Sequence, residues 1–185
     1  MKEKDRKAIL VIDMQKDNVG KFCQDIISNI QRLLDEARKK DLKVIFAVDT
    51  RFEDDSLFDR LKMRKHAIKG TEGWKVIDEL SPAEKDIIVE KPRLSAFFAS
   101  NLDFVLREYD ISTLVITGIR TEGCVLKTIL DAFELGYDVI LAVDCVASPS
   151  KENHEAALNI LDLLKIKKLK VDEIICNLQD FKYVS

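Results

Sequence analysis

Short, continuous apolar runs alternate along this chain with longer segments whose apolar residues recur at helical spacing. The runs predict five strands and a weaker sixth, at residues 8–13, 43–48, 86–90, 113–118, 138–143 and 169–171. Continuous rather than alternating hydrophobicity indicates strands that are buried on both faces, as in a parallel sheet. The pattern therefore predicts an α/β fold with an open, doubly wound, mainly parallel sheet between layers of helices.

Five segments around these strands predict helices. They are residues 24–40, 97–109, 122–136, 151–165 and 172–181. Gly136 directly follows the core of one segment, where the C-terminus of a helix favours glycine. The chain has 185 residues and no linker or low-complexity stretch. We therefore expect a single domain over residues 1–185.

Composition excludes several classes of protein. The formal net charge is −3 and no basic face dominates, so we expect no nucleic-acid partner. No apolar stretch is long enough to cross a bilayer and the N-terminus is charged, so we expect a cytoplasmic protein with no membrane partner. The four cysteines are scattered: Cys23, Cys124, Cys145 and Cys176. They predict no disulfide framework, and the two histidines make a histidine-rich site improbable.

Residues 49–85 form a connection that is too long for a simple crossover between strands. The segment is rich in charge and contains the only tryptophan of the chain, Trp74, together with Phe52 and Phe58. Long insertions at the carboxyl end of a strand are often pocket walls, whereas the alternative is a disordered surface loop. Because aromatic residues are poorly placed in water, we predict an ordered pocket wall.

Three reactive residues follow three of the predicted strands. Asp13 comes after the first strand, Lys91 after the third and Cys124 after the fourth. In open α/β sheets ligands bind at the carboxyl ends of strands. Singly, each residue has a structural interpretation: a turn-capping aspartate, a surface lysine and a small core hydrophobe. Together they predict a thiol nucleophile at the start of a helix, where its pKa is lowered, with a carboxylate base and a cation beside it.

The segment Gly118–Gly123 has glycines at the spacing of a phosphate-binding loop. Cys124 and Val125, however, stand where that loop needs lysine and serine or threonine, so the sequence does not predict nucleotide hydrolysis. No G-x-G-x-x-G motif follows the first strand either. A tight turn at the start of a helix still exposes backbone N–H groups, which can stabilise an oxyanion.

Three separated motifs resemble those of the isochorismatase-like cysteine hydrolases, a family that includes nicotinamidases, N-carbamoylsarcosine amidases and ureido-compound amidases. The motifs are "VIDMQKD", "EKPRLSAFFASNLDFVL" and "TGIRTEGCVLKTILDAFELGYDVILAVDCVAS". The likeness extends over nearly the whole chain. It implies a six-stranded sheet of order 3-2-1-4-5-6.

The resemblance also implies roles for named residues. Asp13, Lys91 and Cys124 correspond to the catalytic triad of the family, and the backbone N–H groups of Arg120 and Cys124 correspond to its oxyanion hole. A cis peptide would join Ile119 to Arg120. The implied reaction is thiolate attack on a carbonyl carbon, loss of ammonia or an amine, and hydrolysis of the acyl group.

Departures from the nicotinamidase pattern affect the expected metal and substrate. Nicotinamidases hold a metal ion with an aspartate and three histidines after the second strand. Asp49 and His66 match two of these ligands, but Arg51 and Leu57 replace the others. Two ligands do not make a usual metal site, so we expect no cofactor and leave Asp49 and His66 as a weak alternative.

Five residues are candidates for contacting a substrate, and Phe97 and Phe98 are among them because they come just after Lys91 in the sequence. The five are Arg51, Met63, Phe97, Phe98 and Ile119. The Arg51 guanidinium suits either a substrate carboxylate or the nearby acidic residues Asp49, Glu53, Asp54 and Asp55. Phe97 and Phe98 fit a pocket wall as well as they fit the core.

The sequence thus predicts a metal-independent cysteine hydrolase that cleaves the C–N bond of a small amide, carbamoyl or ureido compound through a thioester. The alternatives are a nicotinamidase with a degenerate metal site, an isochorismatase-type hydrolase and a non-catalytic binding protein. A thiol redox sensor that pairs Cys124 with Cys145 is a further possibility. Relatives commonly form dimers or tetramers, so we expect a homo-oligomer.

Overall fold

The computed structural model describes residues 6–178. None of the helices in this range is both long and apolar enough to cross a membrane. The predicted domain of residues 1–185 includes termini that lie outside the described residues. The last part of the predicted helix 172–181 also lies outside them.

Six strands of the described chain form one sheet. They are β1 Arg6–Ile12, β2 Lys43–Asp49, β3 Ile87–Lys91, β4 Ile111–Ile119, β5 Asp138–Ala147 and β6 Lys167–Leu169. Every neighbouring pair is parallel, and the strand order is 3-2-1-4-5-6. The predicted fold class and strand order are confirmed. The order reverses between β1 and β4, which places a binding crevice at the carboxyl ends of these two strands.

Helices cover both faces of the sheet. They are α1 Gln24–Lys39, α2 Leu57–Leu61, α3 Leu102–Glu108, α4 Leu126–Glu134, α5 Lys151–Leu163 and α6 Val171–Asn177. Helices α1 and α6 pack on one face, and α3, α4 and α5 pack on the other. The short helix α2 belongs instead to the long connection between β2 and β3.

The central strand β1 shows why continuous apolar runs predicted a doubly covered sheet. Ile9 and Val11 pack into the core on the α1 side, whereas Leu10 and Ile12 pack into the opposite core. All four side chains are fully buried. Each contributes about 1.5–3 kcal/mol of transfer free energy, so both faces of β1 stabilise the fold.

Two predicted helices begin differently in the structure. The helix predicted for residues 97–109 begins only at Leu102. Serine hydroxyls compete for the backbone before it: Ser95 Oγ accepts from the Phe97 N–H at 3.1 Å, and Ser100 Oγ accepts from the Leu102 N–H at 3.1 Å. The helix predicted for residues 122–136 is preceded by one π-helical turn, Thr121–Val125, before α4 starts.

Gly118 allows β1 and β4 to approach closely at their carboxyl ends. Its φ of +107° favours glycine, and a Cβ atom there would lie 2.1 Å from the carbonyl oxygen of Ile12. Any side chain would therefore push the two strands apart. The positions just beyond these strand ends are those of Asp13 and the turn that carries Cys124.

Candidate active site

Asp13 directly follows β1 and is nearly fully buried. Its backbone adopts a left-handed conformation with φ of 55°, which is uncommon for residues other than glycine. The Asp13 N–H donates to the carbonyl of Ala47 at 2.9 Å, so the residue is tied to the end of β2. This conformation holds the carboxylate over the crevice between β1 and β4.

Lys91 is the last residue of β3, and its side chain is fully buried. Its Nζ lies 2.9 Å from Asp13 Oδ2 and 3.4 Å from Cys124 Sγ, and it donates to the carbonyl of Arg93 at 3.1 Å. Strand β2 lies between β3 and β1, so the long lysine side chain spans its carboxyl end. The structure thus brings Asp13, Lys91 and Cys124 together.

Cys124 lies in the π-helical turn after β4 and is only partly buried. The Arg120 carbonyl accepts from the N–H groups of Gly123 and Val125 at 3.0 and 3.2 Å, which closes the turn around the cysteine. The peptide bond between Ile119 and Arg120 is cis. The turn therefore presents the Cys124 sulfur to the crevice beside Lys91.

The three side chains shift one another's proton affinities. Burial raises the pKa of Asp13 to about 6, although the Lys91 charge opposes this rise. Burial lowers the pKa of Lys91, but the negative charge of Asp13 outweighs this effect and raises the pKa overall. At neutral pH, Asp13 is therefore a carboxylate that accepts a proton more readily than an ordinary aspartate.

The pKa of the Cys124 thiol differs from the sequence-based expectation. Burial and the negative charge of Asp13 raise this pKa, although Lys91 opposes the rise. The expectation of a lowered pKa at the start of a helix was wrong, because it ignored first the burial of the sulfur and then the carboxylate next to it. The resting site is accordingly a thiol beside a carboxylate, and the thiol must transfer its proton to become a nucleophile.

Cys124 lines a cavity of about 330 Å³. Three of the predicted substrate-binding residues line it: Arg51, Met63 and Ile119. The remaining lining residues are Asp13, Asp17, Asn18, Asp49, Arg64, His66, Leu94, Arg120, Glu122, Gly123 and Cys124. A cavity of this size accommodates a small molecule but not a polypeptide segment.

Phe97 and Phe98 do not line this cavity. Phe97 packs against the core and stacks on Tyr137, with ring centroids 5.7 Å apart. Phe98 is 61% exposed and lines a separate cleft together with Phe52. Their proximity to Lys91 in sequence was misleading, because the chain leaves the cavity wall after Leu94.

Arg51 pairs with acidic side chains of the protein. Its Nε lies 2.9 Å from Asp49 Oδ1, and its Nη1 donates to Asp55 Oδ2 at 3.5 Å. All three side chains are almost completely buried. Of the alternatives that the sequence left open, the structure therefore shows the pairing with Asp49 and Asp55, which neutralises the guanidinium at the cavity wall.

The residues that correspond to the metal ligands of nicotinamidases do not fit a metal ion in this chain. His66 Nε2 lies 3.4 Å from Asp49 Oδ2, but the Arg51 cation occupies the other side of this carboxylate. Within residues 6–178, no group of three or more His, Cys, Asp or Glu side chains converges on one point. A fixed guanidinium beside two potential ligands repels a cation and uses one of the required donors.

The long connection supplies Arg51, Met63, Arg64 and His66 to the cavity, as expected for an ordered pocket wall. Its aromatic residues have other positions. Phe58 is buried, Trp74 donates its indole N–H to Thr50 Oγ1 at 2.9 Å, and Phe52 is 75% exposed. None of these three rings lines the cavity.

Sequence reasoning missed four residues that line the cavity: Asp17, Arg64, Leu94 and Glu122. It also missed Gln15, whose fully buried side chain connects the end of β1 to the end of β2 and to the long connection that follows β2. Gln15 Nε2 donates to the carbonyls of Asp49 and Trp74 at 2.9 and 2.7 Å. The sequence signal available for Gln15 was a polar residue three positions beyond an apolar strand, at the edge where ligands bind. The sequence signal that Glu122 lines the cavity was its position two residues before Cys124.

The remaining cysteines lie away from the cavity. Cys23 and Cys145 are buried in the core on the α1 side of the sheet, whereas Cys124 packs against the opposite core. Cys176 is exposed, and all four cysteines are free. The sheet therefore separates Cys145 from Cys124, which argues against the redox-sensor alternative.

Sequence comparisons with known proteins all indicate the same family. The family model described as an isochorismatase domain matches residues 7–168. A protein of Arabidopsis thaliana named a probable inactive nicotinamidase is 35% identical over 175 residues, covering 86% of this chain and 88% of that protein. The ureidoacrylate amidohydrolase of Serratia proteamaculans is 33% identical over 186 residues, covering 83% of this chain and 75% of that enzyme.

Solved structures agree with this assignment. An isochorismatase-like hydrolase from Alkaliphilus metalliredigens superposes with a TM-score of 0.87 at 36% identity, covering 94% of this chain and 99% of that one. The N-carbamoylsarcosine amidase of Thermoplasma acidophilum superposes with a TM-score of 0.83 at 27% identity, covering 91% and 98% respectively. The fold and the family motifs therefore occur together over most of the chain.

Proposed function

The chain belongs to the isochorismatase family of hydrolases, and on that premise we propose that it cleaves the C–N bond of a small amide, carbamoyl or ureido compound through a cysteine thioester. The observation that carries this proposal is the position of Lys91 Nζ, within 2.9 Å of Asp13 Oδ2 and 3.4 Å of Cys124 Sγ at a small cavity. One cation thus contacts both a base and a nucleophile.

The first half of the reaction transfers the acyl group to sulfur. Asp13 takes the thiol proton as Sγ attacks the substrate carbonyl carbon, and Lys91 stabilises both anions as charge moves between them. The developing oxyanion would accept from the backbone N–H groups of Arg120 and Cys124. Asp13 then gives its proton to the leaving nitrogen, ammonia departs, and a thioester remains on Cys124.

The second half regenerates the enzyme. Asp13 is again a carboxylate and removes a proton from a water molecule, whose oxygen attacks the thioester carbon. The C–S bond breaks, Asp13 returns the proton to sulfur, and the acid product leaves. No step needs a metal ion.

One relative favours a second candidate function, a binding protein without turnover. The Arabidopsis thaliana relative is named a probable inactive nicotinamidase although it is 35% identical to this chain. On this alternative, the cavity would bind the same class of compound and the thioester would not form. Ammonia release distinguishes the two candidates.

The experiment measures ammonia release from a panel of amides, N-carbamoyl amino acids and ureas. We expect turnover of at least one class by the wild-type protein. Cys124→Ser and Asp13→Asn each lower kcat/KM by at least about 10³-fold, since each removes a group that takes part in bond formation. The matched control is Cys176→Ser, which changes an exposed cysteine outside the cavity and should have wild-type activity.

A panel on which no compound releases ammonia, although the compounds bind, would favour the binding protein. Turnover that survives in the Cys124→Ser protein would exclude the thioester route.

A further inference from the structure

A backbone carbonyl holds the Lys91 ammonium in addition to Asp13 and Cys124. Lys91 Nζ donates to the carbonyl oxygen of Arg93 at 3.1 Å. An ammonium group has three N–H donors, so one is available for each of these three contacts. The Arg93 carbonyl therefore helps to determine the direction in which Lys91 presents its other donors to Asp13 and Cys124.

The Arg93 side chain holds the turn that contains this carbonyl. Arg93 Nη1 donates to the carbonyl of Pro92 at 2.6 Å and to Asp55 Oδ2 at 3.2 Å. Two successive carbonyls are thus in use, because that of Pro92 accepts from the guanidinium and that of Arg93 accepts from Lys91. The guanidinium connects the turn directly after β3 to Asp55, which lies in the connection between β2 and β3.

The Asp55 carboxylate is a fixed partner for this guanidinium. Its side chain is only 5% exposed, and its Oδ1 accepts from the Leu57 N–H at 2.9 Å. Its Oδ2 contacts Arg51 as well as Arg93. Burial raises the pKa of Asp55, but the Leu57 N–H and the two guanidinium groups together outweigh burial and lower it. At neutral pH, Asp55 is therefore an ionised carboxylate with a donor on each oxygen.

Neither Asp55 nor Arg93 lines the cavity. Any effect of this pair on the reaction must therefore pass through another residue. One route runs through the Arg93 carbonyl to Lys91. A second route would run through Arg51 to Asp49. The first route ends on a group that contacts both the proposed base and the proposed nucleophile.

We propose that the Asp55–Arg93 ion pair positions Lys91, by fixing the carbonyl that holds the Lys91 ammonium between Asp13 and Cys124. Both members are positioning residues, because they act through Lys91 and do not contact the substrate. The inference rests on the proposed function and deepens it. With the pair broken, the Arg93 carbonyl is less well held, so the ammonium is less often in contact with Asp13 and Cys124. The pKa of each of these two groups should then rise, since Lys91 lowers both.

The test uses Asp55→Asn and Arg93→Met, each alone, together and in combination with Lys91→Met. Asp54→Asn is the matched control, because Asp54 is exposed and directly precedes Asp55. The first readout is the pH dependence of kcat and KM for a compound that the wild-type protein turns over. Each single change should lower kcat about 10-fold with little change in KM. It should also move the acid limb of kcat/KM to higher pH, in the same direction as Lys91→Met.

The second readout needs no turnover. Iodoacetamide alkylates thiolates, so the rate at which the Cys124 peptide is alkylated reports how readily Cys124 loses its proton. Asp55→Asn and Arg93→Met should each slow this rate by about 3-fold or more at neutral pH. The double variant should match Arg93→Met, and neither change should slow alkylation further in the Lys91→Met protein. The peptide that contains the exposed Cys176 is the internal control.

Two results would overturn the inference by showing another route. A further loss on breaking the pair in the Lys91→Met protein would mean that the effect does not pass through Lys91. Additive losses in the double variant would mean that Asp55 acts through Arg51 instead.

A purely structural role would also overturn the inference, and it would lower the unfolding free energy without changing the alkylation rate or the pH profile. If Asp55→Asn does not fold, Arg93→Met decides the question, because the Arg93 side chain is 42% exposed. Failure of the proposed function looks different: ammonia release is then absent, whereas alkylation of Cys124 still depends on Arg93 through Lys91. Cys124-dependent ammonia release that neither change affects would overturn the inference alone.

Discussion

At the scale of single residues, the proposed reaction depends on one proton that moves between Cys124 and Asp13. Burial raises the pKa of both groups, while Lys91 favours the charged form of each. The proton rests on sulfur at neutral pH, and the Asp13 carboxylate is a stronger base than an exposed aspartate. In the proposed reaction, proton transfer is therefore part of the attack step and not a preliminary ionisation.

The pH dependence of turnover tests this description. The three groups titrate together, but catalysis requires ionised Asp13, so kcat/KM should fall below an apparent pKa of about 6. Lys91→Met removes the charge that opposes the rise in the Asp13 pKa. It should move the acid limb to higher pH and lower kcat/KM at neutral pH by about 10²-fold or more.

The measurement is a profile of kcat/KM between pH 4 and pH 9, with Cys176→Ser as control. An acid limb near the ordinary aspartate value of about 4, or a limb that does not move in Lys91→Met, would contradict the role given to Asp13.

Single residues were predictable from sequence where topology determines their position. Asp13, Lys91 and Cys124 follow strand ends, and parallel strands bring such positions to one edge. Arg51 was ambiguous because several carboxylates surround it in sequence, and only folding selects Asp49 and Asp55. The position of Phe97 depends on a stacking partner, Tyr137, that is distant in sequence.

At the scale of elements, α5 supports the turn that contains Cys124, the proposed nucleophile. His154 on α5 contacts the buried Thr121 hydroxyl, with 2.9 Å between His154 Nδ1 and Thr121 Oγ1. Thr121 begins the π-helical turn that contains Cys124. A side chain on one element thus fixes the start of the turn that presents the sulfur.

Breaking this contact should affect turnover more than substrate binding. We expect His154→Ala to lower kcat by about 10-fold with little change in KM, because a small displacement of the sulfur disturbs attack. The same variant should lose about 1 kcal/mol of unfolding free energy. Glu155→Gln, an exposed change on the same helix, is the control. A lower stability with unchanged kcat would show that His154 has only a structural role.

The connection between β2 and β3 contains a pH-dependent contact. His66 Nδ1 lies 2.9 Å from the Arg64 carbonyl, and its Nε2 faces Asp49 Oδ2 at 3.4 Å. Both ring nitrogens face acceptors, so the hydrogen bond to Asp49 raises the pKa of His66 although burial opposes the rise. The protonated ring therefore stabilises the folded state.

The sign of the pH dependence follows from this raised pKa. The stabilisation is complete below the unfolded pKa of about 6.5 and is lost as the pH rises through the higher folded pKa. His66→Gln should lower the unfolding free energy by about 1–2 kcal/mol at pH 5.5 and by much less at pH 9. Denaturant titrations at both pH values make this comparison. A loss that is the same at both would mean that the ring contributes by packing alone.

The elements themselves were largely predictable, because apolar runs and helical stripes report burial directly. The boundaries that differed are those set by side-chain hydrogen bonds, as at Ser95 and Ser100 before α3. The π-helical turn before α4 was not predictable, since the pattern of apolar residues does not distinguish it from the first turn of an α-helix.

At the scale of the whole molecule, the strand order concentrates the chemistry at one edge of the sheet. The reversal between β1 and β4 opens a crevice, and β3 reaches it through the long side chain of Lys91. Sequence patterns predicted this architecture, and the resemblance supplied the strand order. The shape of the cavity was not predictable, because a long irregular connection forms much of its wall.

The expected homo-oligomer stays a prediction at this scale. Phe52 and Phe98 are 75% and 61% exposed and line one cleft, a costly arrangement for a free surface. We expect sedimentation to show a dimer or tetramer and the double variant Phe52→Ser, Phe98→Ser to shift it towards monomer. The exposed Phe104 on α3 provides a control, Phe104→Ser. A wild-type monomer at micromolar concentration would contradict the expectation.

Mass spectrometry of the rapidly quenched protein tests most directly whether Cys124 forms a thioester with the retained part of the substrate. The protein is mixed with a turned-over ureido compound, acidified within milliseconds and digested. We expect an acyl adduct on the peptide that contains Cys124, formed with release of one ammonia per site and absent in Asp13→Asn. Steady ammonia release with no adduct on Cys124, or an adduct on another residue, would contradict it.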